Sequence, residues 1–468
     1  MRLRPTGCVA RTRTLNFQAR RILMTHFTVI APPFTSHVRA LEALAGVLLE
    51  RGHRVSWVQQ ADVSDLLSDP RIGFHPVGAD THPPSSLAKI VARAASPGGP
   101  LGLRRVIADV ASATDMLCRE APAVLRALKT EALIADQMEA AGGLLAEGLG
   151  LPFISVACAL PVNREARVPL PVMPWAYAKD LRGEQLNEGS ARVYDWLMQP
   201  HARVISRHAQ AFGLSPRSTL AECLSPLAQI SQTTASFDFA RSQLPDHFHH
   251  VGPLRPPLQQ EAALELPIQS GRPFIFASLG TLQGGRFDLF RRIARACKAL
   301  DVQLLLAHCD RLDSRQAAAL QRAGATWVTG FAPQRAALAR ADAVVSHAGL
   351  NTALDALAAG TPVLALPIAF DQPGVAARLV QGGAGLRLLP ALASTRAVQN
   401  ALQRLLQEPA FSQRASTLGA DVAQSGGVEL AANIIEAALP MHLPVKPHGA
   451  PNDSNTAAVA GKTWLQVA

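Results

Sequence analysis

Apolar residues in this chain gather in short continuous runs, separated by longer stretches in which they recur at helical spacing. FTVIAPP (27–33) is such a run and ends in two prolines, so it predicts a strand followed by a loop. In VRALEALAGVLLERG (38–52), Leu41, Ala45, Leu48 and Leu49 share one helical face, and Gly52 is placed to end the helix. HRVSWVQQ (53–60) returns as a strand. Such alternation predicts a parallel sheet with right-handed crossovers. TEALIADQ (130–137), a helix over 138–149 and PFISVACA (152–159) repeat the unit.

The pattern restarts further on. FIFASLGT (274–281), VQLLLAHC (302–309), ATWVTGF (325–331), AVVSHAG (343–349) and PVLALPIAF (362–370) read as strands with helices between them, RFDLFRRIARACKAL (286–300) among these. Their near-continuous apolar character suits a sheet covered on both faces. Prolines cluster at 251–273, which predicts a linker between a domain over 24–250 and another over 274–439. Residues 76–103 read as an excursion from the sheet, and the proline-rich 164–180 as a loop on a binding face. The fold class is α/β, with two Rossmann-like parallel-sheet domains facing a central cleft at the carboxyl ends of both sheets.

Composition narrows the functional classes. The chain has 468 residues, 48% hydrophobic and 17% charged, as a folded protein requires. The net charge of +10 suggests nucleic acid at first sight. Yet residues 1–23 carry six arginines and no acid, so over half of the excess lies in one segment that reads as a disordered extension. Aromatics are few and no basic stripe interleaves with them, so no nucleic-acid partner is expected. Residues 440–468 read as a disordered tail. The six cysteines show no C-x-x-C pair and no metal spacing, which points to a reduced, cytoplasmic protein. No apolar run is long enough to cross a bilayer. PDHFHH (245–250) fits no zinc pattern and reads as a surface loop, there is no D-x-D motif, and no metal site is expected.

Candidate chemistry gathers at strand ends. His347 and Gly349 close one apolar run, and the following helix carries Asn351 and Thr352 in its first turn. Helix N-termini present unpaired N–H groups and suit a phosphate; Gly349 permits close approach, and His347 and Thr352 can add hydrogen bonds. Asp355, one turn on, is placed to accept from ribose hydroxyls. Asp371 and Gln372 can hold vicinal sugar hydroxyls. In Phe331-Ala332-Pro333-Gln334, the aromatic can stack on a base and the amide can reach a ribose. Ser278-Leu279-Gly280-Thr281 can touch phosphate but is no Walker loop. In the first half His37 follows the first strand and Asp136 ends another, a pairing that makes a tuned general base. Asp115 is a rival carboxylate. Each of these taken singly also reads as an ordinary turn, cap or core residue.

Taken together, FAPQ, HAG, Asp355, GTP and FDQ, in that order and spacing, resemble the donor signature of the family 1 glycosyltransferases. APPFTSHVRAL, DQMEAAG, LPFISVACALPVNRE and HVGPLR resemble the branch of that family that glucosylates carotenoids in bacteria. The resemblance spans roughly 24–435. It implies a GT-B fold and UDP-glucose as donor substrate with no separate cofactor. It also implies a carotenoid acceptor bound in an apolar groove near 160–180, peripheral contact with the inner membrane and inverting transfer without a metal. His37 and Asp136 would be catalytic. Thr281, Phe331, Ala332, Gln334, His347, Gly349, Asn351, Thr352, Asp355, Asp371 and Gln372 would bind the donor. The separation of His37 and Asp136 is similar to that in plant members, which favours Asp136 over Asp115. Ser36, Phe331 and Asp355 stand where the family more often has glycine, tryptophan and glutamate. Alternatives are the same donor with a macrolide, flavonoid or sterol-like acceptor, a UDP-sugar 2-epimerase, and a non-catalytic sugar-nucleotide sensor.

Overall fold

The computed structural model describes residues 24–257 and 262–439. The expected extension (1–23), the expected tail (440–468) and residues 258–261 of the expected linker lie outside the described residues. The first half forms strands β1 (His26–Ile30), β2 (Arg54–Gln60), β3 (Gly73–Val77), β4 (Ala132–Asp136), β5 (Phe153–Ala157), β6 (Gln229–Ser231) and β7 (Phe248–His250). The second half forms β8 (Phe274–Ser278), β9 (Gln303–Ala307), β10 (Trp327–Thr329), β11 (Ala343–Ser346), β12 (Val363–Ala365) and β13 (Gly385–Arg387). The sheets run β3-β2-β1-β4-β5-β6-β7 and β10-β9-β8-β11-β12-β13, and the strands within each pair in parallel.

Burial explains why these runs are strands. β1, β4, β5, β8 and β9 are buried along their whole length, because helices cover both faces of each sheet. The Thr35–Glu50 helix turns Leu41, Leu44, Ala45 and Leu48 into the core. It ends on Gly52 at φ +89°, where the His53 and Gly52 N–H groups reach back to the carbonyls of Leu48 and Leu49 at 3.0 Å. A residue with a Cβ would be strained at that φ.

The order of each sheet reverses between two central strands, β1 and β4 in the first and β8 and β11 in the second. Adjacent parallel strands whose crossovers leave in opposite directions open a crevice at their carboxyl ends. His37 and Asp136 follow β1 and β4; Thr281 and His347 follow β8 and β11. These four candidate residues therefore sit at the switch points, while Gln334 follows β10 and Asp371 and Gln372 follow β12.

Two expectations are corrected, and the excursion at 76–103 is given its form. The PDHFHH segment is not a surface loop: its Phe248–His250 portion is the half-buried edge strand β7, paired with β6 with His249 opposite Ile230. The excursion at 76–103 contains the Ser86–Ala95 helix and the start of the Pro100–Leu128 helix. The last helix, Gly427–Ala438, falls in the span expected to form the second domain but packs on the first. Val428, Ala431, Ala432 and Ile435 join the core beside the Thr35–Glu50 helix, and Arg51 donates to Asn433 at 2.7 Å and to Glu436 at 2.9 Å.

The halves are also joined through charge. Arg378 of the Gln372–Gln381 helix donates to Asp238 of the first half at 2.7 Å, and Arg241 donates to the other carboxylate oxygen at 3.1 Å. All three side chains are buried, and the Arg378 guanidinium lies 4.2 Å from the centre of the Phe239 ring. Asp238→Ala would leave two buried guanidinium groups without their shared acceptor. A loss of about 3–5 kcal/mol is expected, read as a lower midpoint in equilibrium urea denaturation; an unchanged midpoint would show that the pair adds nothing net.

Candidate active site

His37 lies in the first turn of the Thr35–Glu50 helix, directly after the loop that leaves β1. Its Nδ1 lies 2.7 Å from Oδ2 of Asp136, whose side chain is fully buried at the end of β4. The other carboxylate oxygen accepts the Met138 N–H at 2.9 Å. An ionised, fully engaged carboxylate can only accept, so Nδ1 carries the proton and Nε2 keeps the lone pair. Burial opposes protonation of His37, but Asp136 by charge and hydrogen bond, with Asp371 by charge, holds its pKa above the ordinary value. The rival Asp115 lies on the Pro100–Leu128 helix, where Arg119 at 3.0 Å, His208 at 2.7 Å and Arg207 engage it. It takes no part in the His37 pair.

Cys158, just beyond β5, completes a trio with His37 and Asp136 whose ligand atoms lie within 4.8 Å of one another. It is the one group among the described residues with donors placed for a cation. It is poorly suited to one: His37 and Asp136 already face each other, and burial, with Asp136 beside it, keeps the thiol well above its ordinary pKa.

The second half approaches the same point. Asp371 accepts the Leu160 N–H at 3.1 Å, and burial raises its pKa. Before it, Phe370 is held at φ +55°, 40% exposed, with its ring 6.0 Å from that of Phe34. Phe34 in turn lies 6.4 Å from His37. An aromatic pair thus bridges the two halves beside His37. Sequence reading missed the pairing, although both residues lie inside segments it singled out, APPFTSHVRAL and FDQ. Gln372 is buried, and its side-chain oxygen accepts the Ile368 and Ala369 N–H groups at 2.8 and 2.9 Å. Only its amide N–H₂ is left to meet a sugar.

The register Ser346↔Ser278 between β11 and β8 brings His347 against Gly280. A Cβ built on Gly280 would lie 2.6 Å from the His347 ring, and one on Gly349 would lie equally close. The two glycines therefore make room for the imidazole, and Gly280 also sits at φ +73°. Burial lowers the His347 pKa to about 4, so the ring is neutral at ordinary pH and offers one N–H. Thr281 lies in the short Gly280–Gln283 turn of helix beside it. The Leu350–Ala358 helix begins after Gly349, and its first-turn N–H groups lack intrahelical partners.

Other predicted donor residues are brought together, but with one another. Gln334 donates to Asp355 at 2.7 Å and accepts from the Thr352 hydroxyl at 3.2 Å. Asp355 is buried, and its second oxygen takes the Arg255 N–H at 3.3 Å. Asp355 thus holds Gln334 and Arg255 together in one buried network. Asn351 spans the halves, with its Nδ2 3.4 Å from the Ser36 carbonyl and its Oδ1 3.3 Å from Gln232. Arg255 and Gln232 were not singled out as site residues, although Arg255 closes the HVGPLR segment that carries part of the resemblance. Phe331 is 62% exposed, as a stacking platform requires, while Ala332 packs on the core of the second sheet.

The comparisons with known proteins identify the family and the fold. The UDP-glucoronosyl and UDP-glucosyl transferase family matches residues 116–421. A zeaxanthin glucosyltransferase of Pantoea ananas is 49% identical over 414 residues, 88% of this chain and 96% of that protein. Another, of Pseudescherichia vulneris, is 48% identical over 420 residues, 89% and 98% of the two chains. Among solved structures, the glycosyltransferase of kitacinnamycin superposes with a TM-score of 0.68 at 19% identity, covering 89% of this chain and 99% of that one. The calicheamicin glycosyltransferase gives 0.67 at 20%, covering 89% and 98%. These structures carry the fold, which is GT-B. With the family match and the near-half identity over almost the whole described chain, the protein belongs to the UDP-glucoronosyl and UDP-glucosyl transferase family and is a UDP-sugar-dependent glycosyltransferase.

Proposed function

We propose that the protein transfers glucose from UDP-glucose to the ring hydroxyls of zeaxanthin, giving the monoglucoside and then the diglucoside. The identity of 48–49% to two zeaxanthin glucosyltransferases, extending through the acceptor-binding half, carries this reading. The donor is a substrate and no separate cofactor is involved. An acceptor of this kind dissolves in lipid, which places the enzyme in the cytoplasm against the inner membrane.

The chemistry follows from the pair at the first switch point. His37 Nε2 removes the proton from the acceptor hydroxyl, and the oxygen attacks the anomeric carbon as its bond to UDP breaks, inverting the centre. The proton ends on His37, and Asp136 stabilises the resulting imidazolium. General-base assistance of this type contributes about 10²–10⁴-fold. Charge growing on the departing diphosphate faces the helix N-terminus at Leu350, with the backbone N–H groups of Asn351 and Thr352, and the N–H and O–H groups of His347 and Thr281. Asp371 and the Gln372 amide hold the glucose. Phe331 and Gln334 hold the uridine, and Asp355 supports Gln334.

Incubating the protein with UDP-glucose and detergent-solubilised zeaxanthin should yield pigments heavier by one and by two hexoses. Unchanged pigment alongside sound UDP-glucose binding would overturn the acceptor and leave the transferase. His37→Ala should reduce turnover by about 10²–10⁴-fold while calorimetry finds UDP-glucose affinity unchanged. His347→Ala should weaken that affinity, and equal affinity in the two variants would refute the division of roles. The pH profile gives a further test. His37 must be neutral to act, and its pKa is raised, so kcat/KM should fall on the acid side with a midpoint above 6.5. Asp136→Asn removes the stabilising charge, so this limb should move to lower pH; a limb that stays put would assign the titration to another group.

A further inference from the structure

The Leu181–Leu197 helix is built inside out. Its buried side is polar: Asn187 donates to the Ala166 carbonyl at 3.0 Å and the Ser190 hydroxyl to the Asn187 carbonyl at 2.7 Å. Its outer side carries Leu181, Leu186, Val193 and Trp196, respectively 68, 51, 57 and 70% exposed. At 100° per residue these four fall within one arc of about 140° that also holds Arg182, Gln185, Gly189 and Arg192 but no acid. A helix of a globular protein in water ordinarily has the reverse arrangement.

The charges around this arc are sorted. Each nearby carboxylate is already engaged: Asp180 accepts the Gly183 N–H at 2.9 Å, Glu184 takes Arg167 at 2.8 Å, Asp195 takes both terminal nitrogens of Arg164, and Glu188 lies 3.6 Å from Arg192. Lys179 and Arg182 are exposed and have no carboxylate partner among the described residues. We propose that this face docks on a bilayer containing anionic phospholipid. The leucines, Val193 and Trp196 would enter the interfacial zone, and Lys179 and Arg182 would meet headgroup phosphates. A tryptophan suits that depth, since its ring is apolar and its N–H can stay hydrated.

The position of the helix gives docking a purpose, on the reading above that the acceptor is a carotenoid. Arg164, Ala166 and Arg167, which hold the helix, belong to the segment 164–180. That segment also reaches the donor half, where the Pro171 carbonyl accepts the Gly374 N–H at 3.1 Å and the Tyr177 N–H donates to Gln381 at 3.1 Å. An apolar acceptor leaving the lipid beside Trp196 would therefore meet the cleft without crossing water.

The test uses the full chain and a double variant, Leu186→Glu with Trp196→Glu, whose fold is checked by circular dichroism. Wild-type protein should float with phosphatidylglycerol-containing vesicles, and less with phosphatidylcholine alone. The double variant should lose at least about 10-fold in binding, and a similar factor in transfer to zeaxanthin embedded in those vesicles. Its rate on detergent-solubilised zeaxanthin should stay within about 2-fold of wild type, because the helix lies outside the cleft. Equal flotation of both proteins would overturn the proposal. So would an equal loss in detergent, or a wild-type dimer that the variant dissolves without change in vesicle binding. Failure of the wild type to act on zeaxanthin in detergent would instead overturn the acceptor reading, and flotation would still judge the surface.

Discussion

The carboxyl edges of two separate sheets must meet, and the buried contact of Arg378 with Asp238 ties the two halves together. A guanidinium with no access to water must keep its counter-charge, so sliding one half over the other would strand a buried ion. Arg378 lies on the helix that begins with Gln372, and its guanidinium also donates to the Gly374 carbonyl at 3.1 Å. The same side chain that joins the halves therefore steadies the helix start next to Asp371. From there the Leu160 N–H, Phe34 and Phe370 carry the contact to His37.

Within that frame the two histidines are given opposite character by their surroundings. Both lose hydration on burial, which favours the neutral ring. His37 regains the difference from two carboxylates, one from each half, and so has a raised pKa suited to accepting a proton. His347 has no such neighbour, falls to about 4 and stays a neutral donor packed between two glycines. Two imidazoles of opposite character thus arise at non-equivalent positions of two similar sheets, His37 after β1 and His347 after β11, the counterpart of β4.

The acceptor half departs from its counterpart by what it adds after β5. The long segment through 158–228 supplies the loop that touches the donor half and the two helices that follow it. The first of these wears its apolar residues outward, an arrangement that water alone does not favour.

Much of the architecture was legible from local pattern, because a strand covered on both faces must be apolar throughout. β1, β4, β5, β8 and β9 follow that rule closely, while β2, also read as a strand, buries Ser56, Gln59 and Gln60 among its apolar residues. The short or polar strands β3, β6, β7 and β13 were not legible, since a three-residue edge strand or one rich in histidine lacks a pattern that separates it from a loop. The pairing of His37 with Asp136 was legible through a resemblance whose motifs fall at strand ends. Local sequence left three things open: that Asp355 faces Gln334 and Arg255, that Phe34 meets Phe370, and that the last helix returns to the first half. Each depends on segments far apart in the chain finding one another, and the energy that selects such contacts (burial of charge, close packing, satisfied hydrogen bonds) exists only once both partners are in place. The sequence by itself determined the strands, the helices and the kind of chemistry their ends carry; the tertiary structure decided which of those ends face each other.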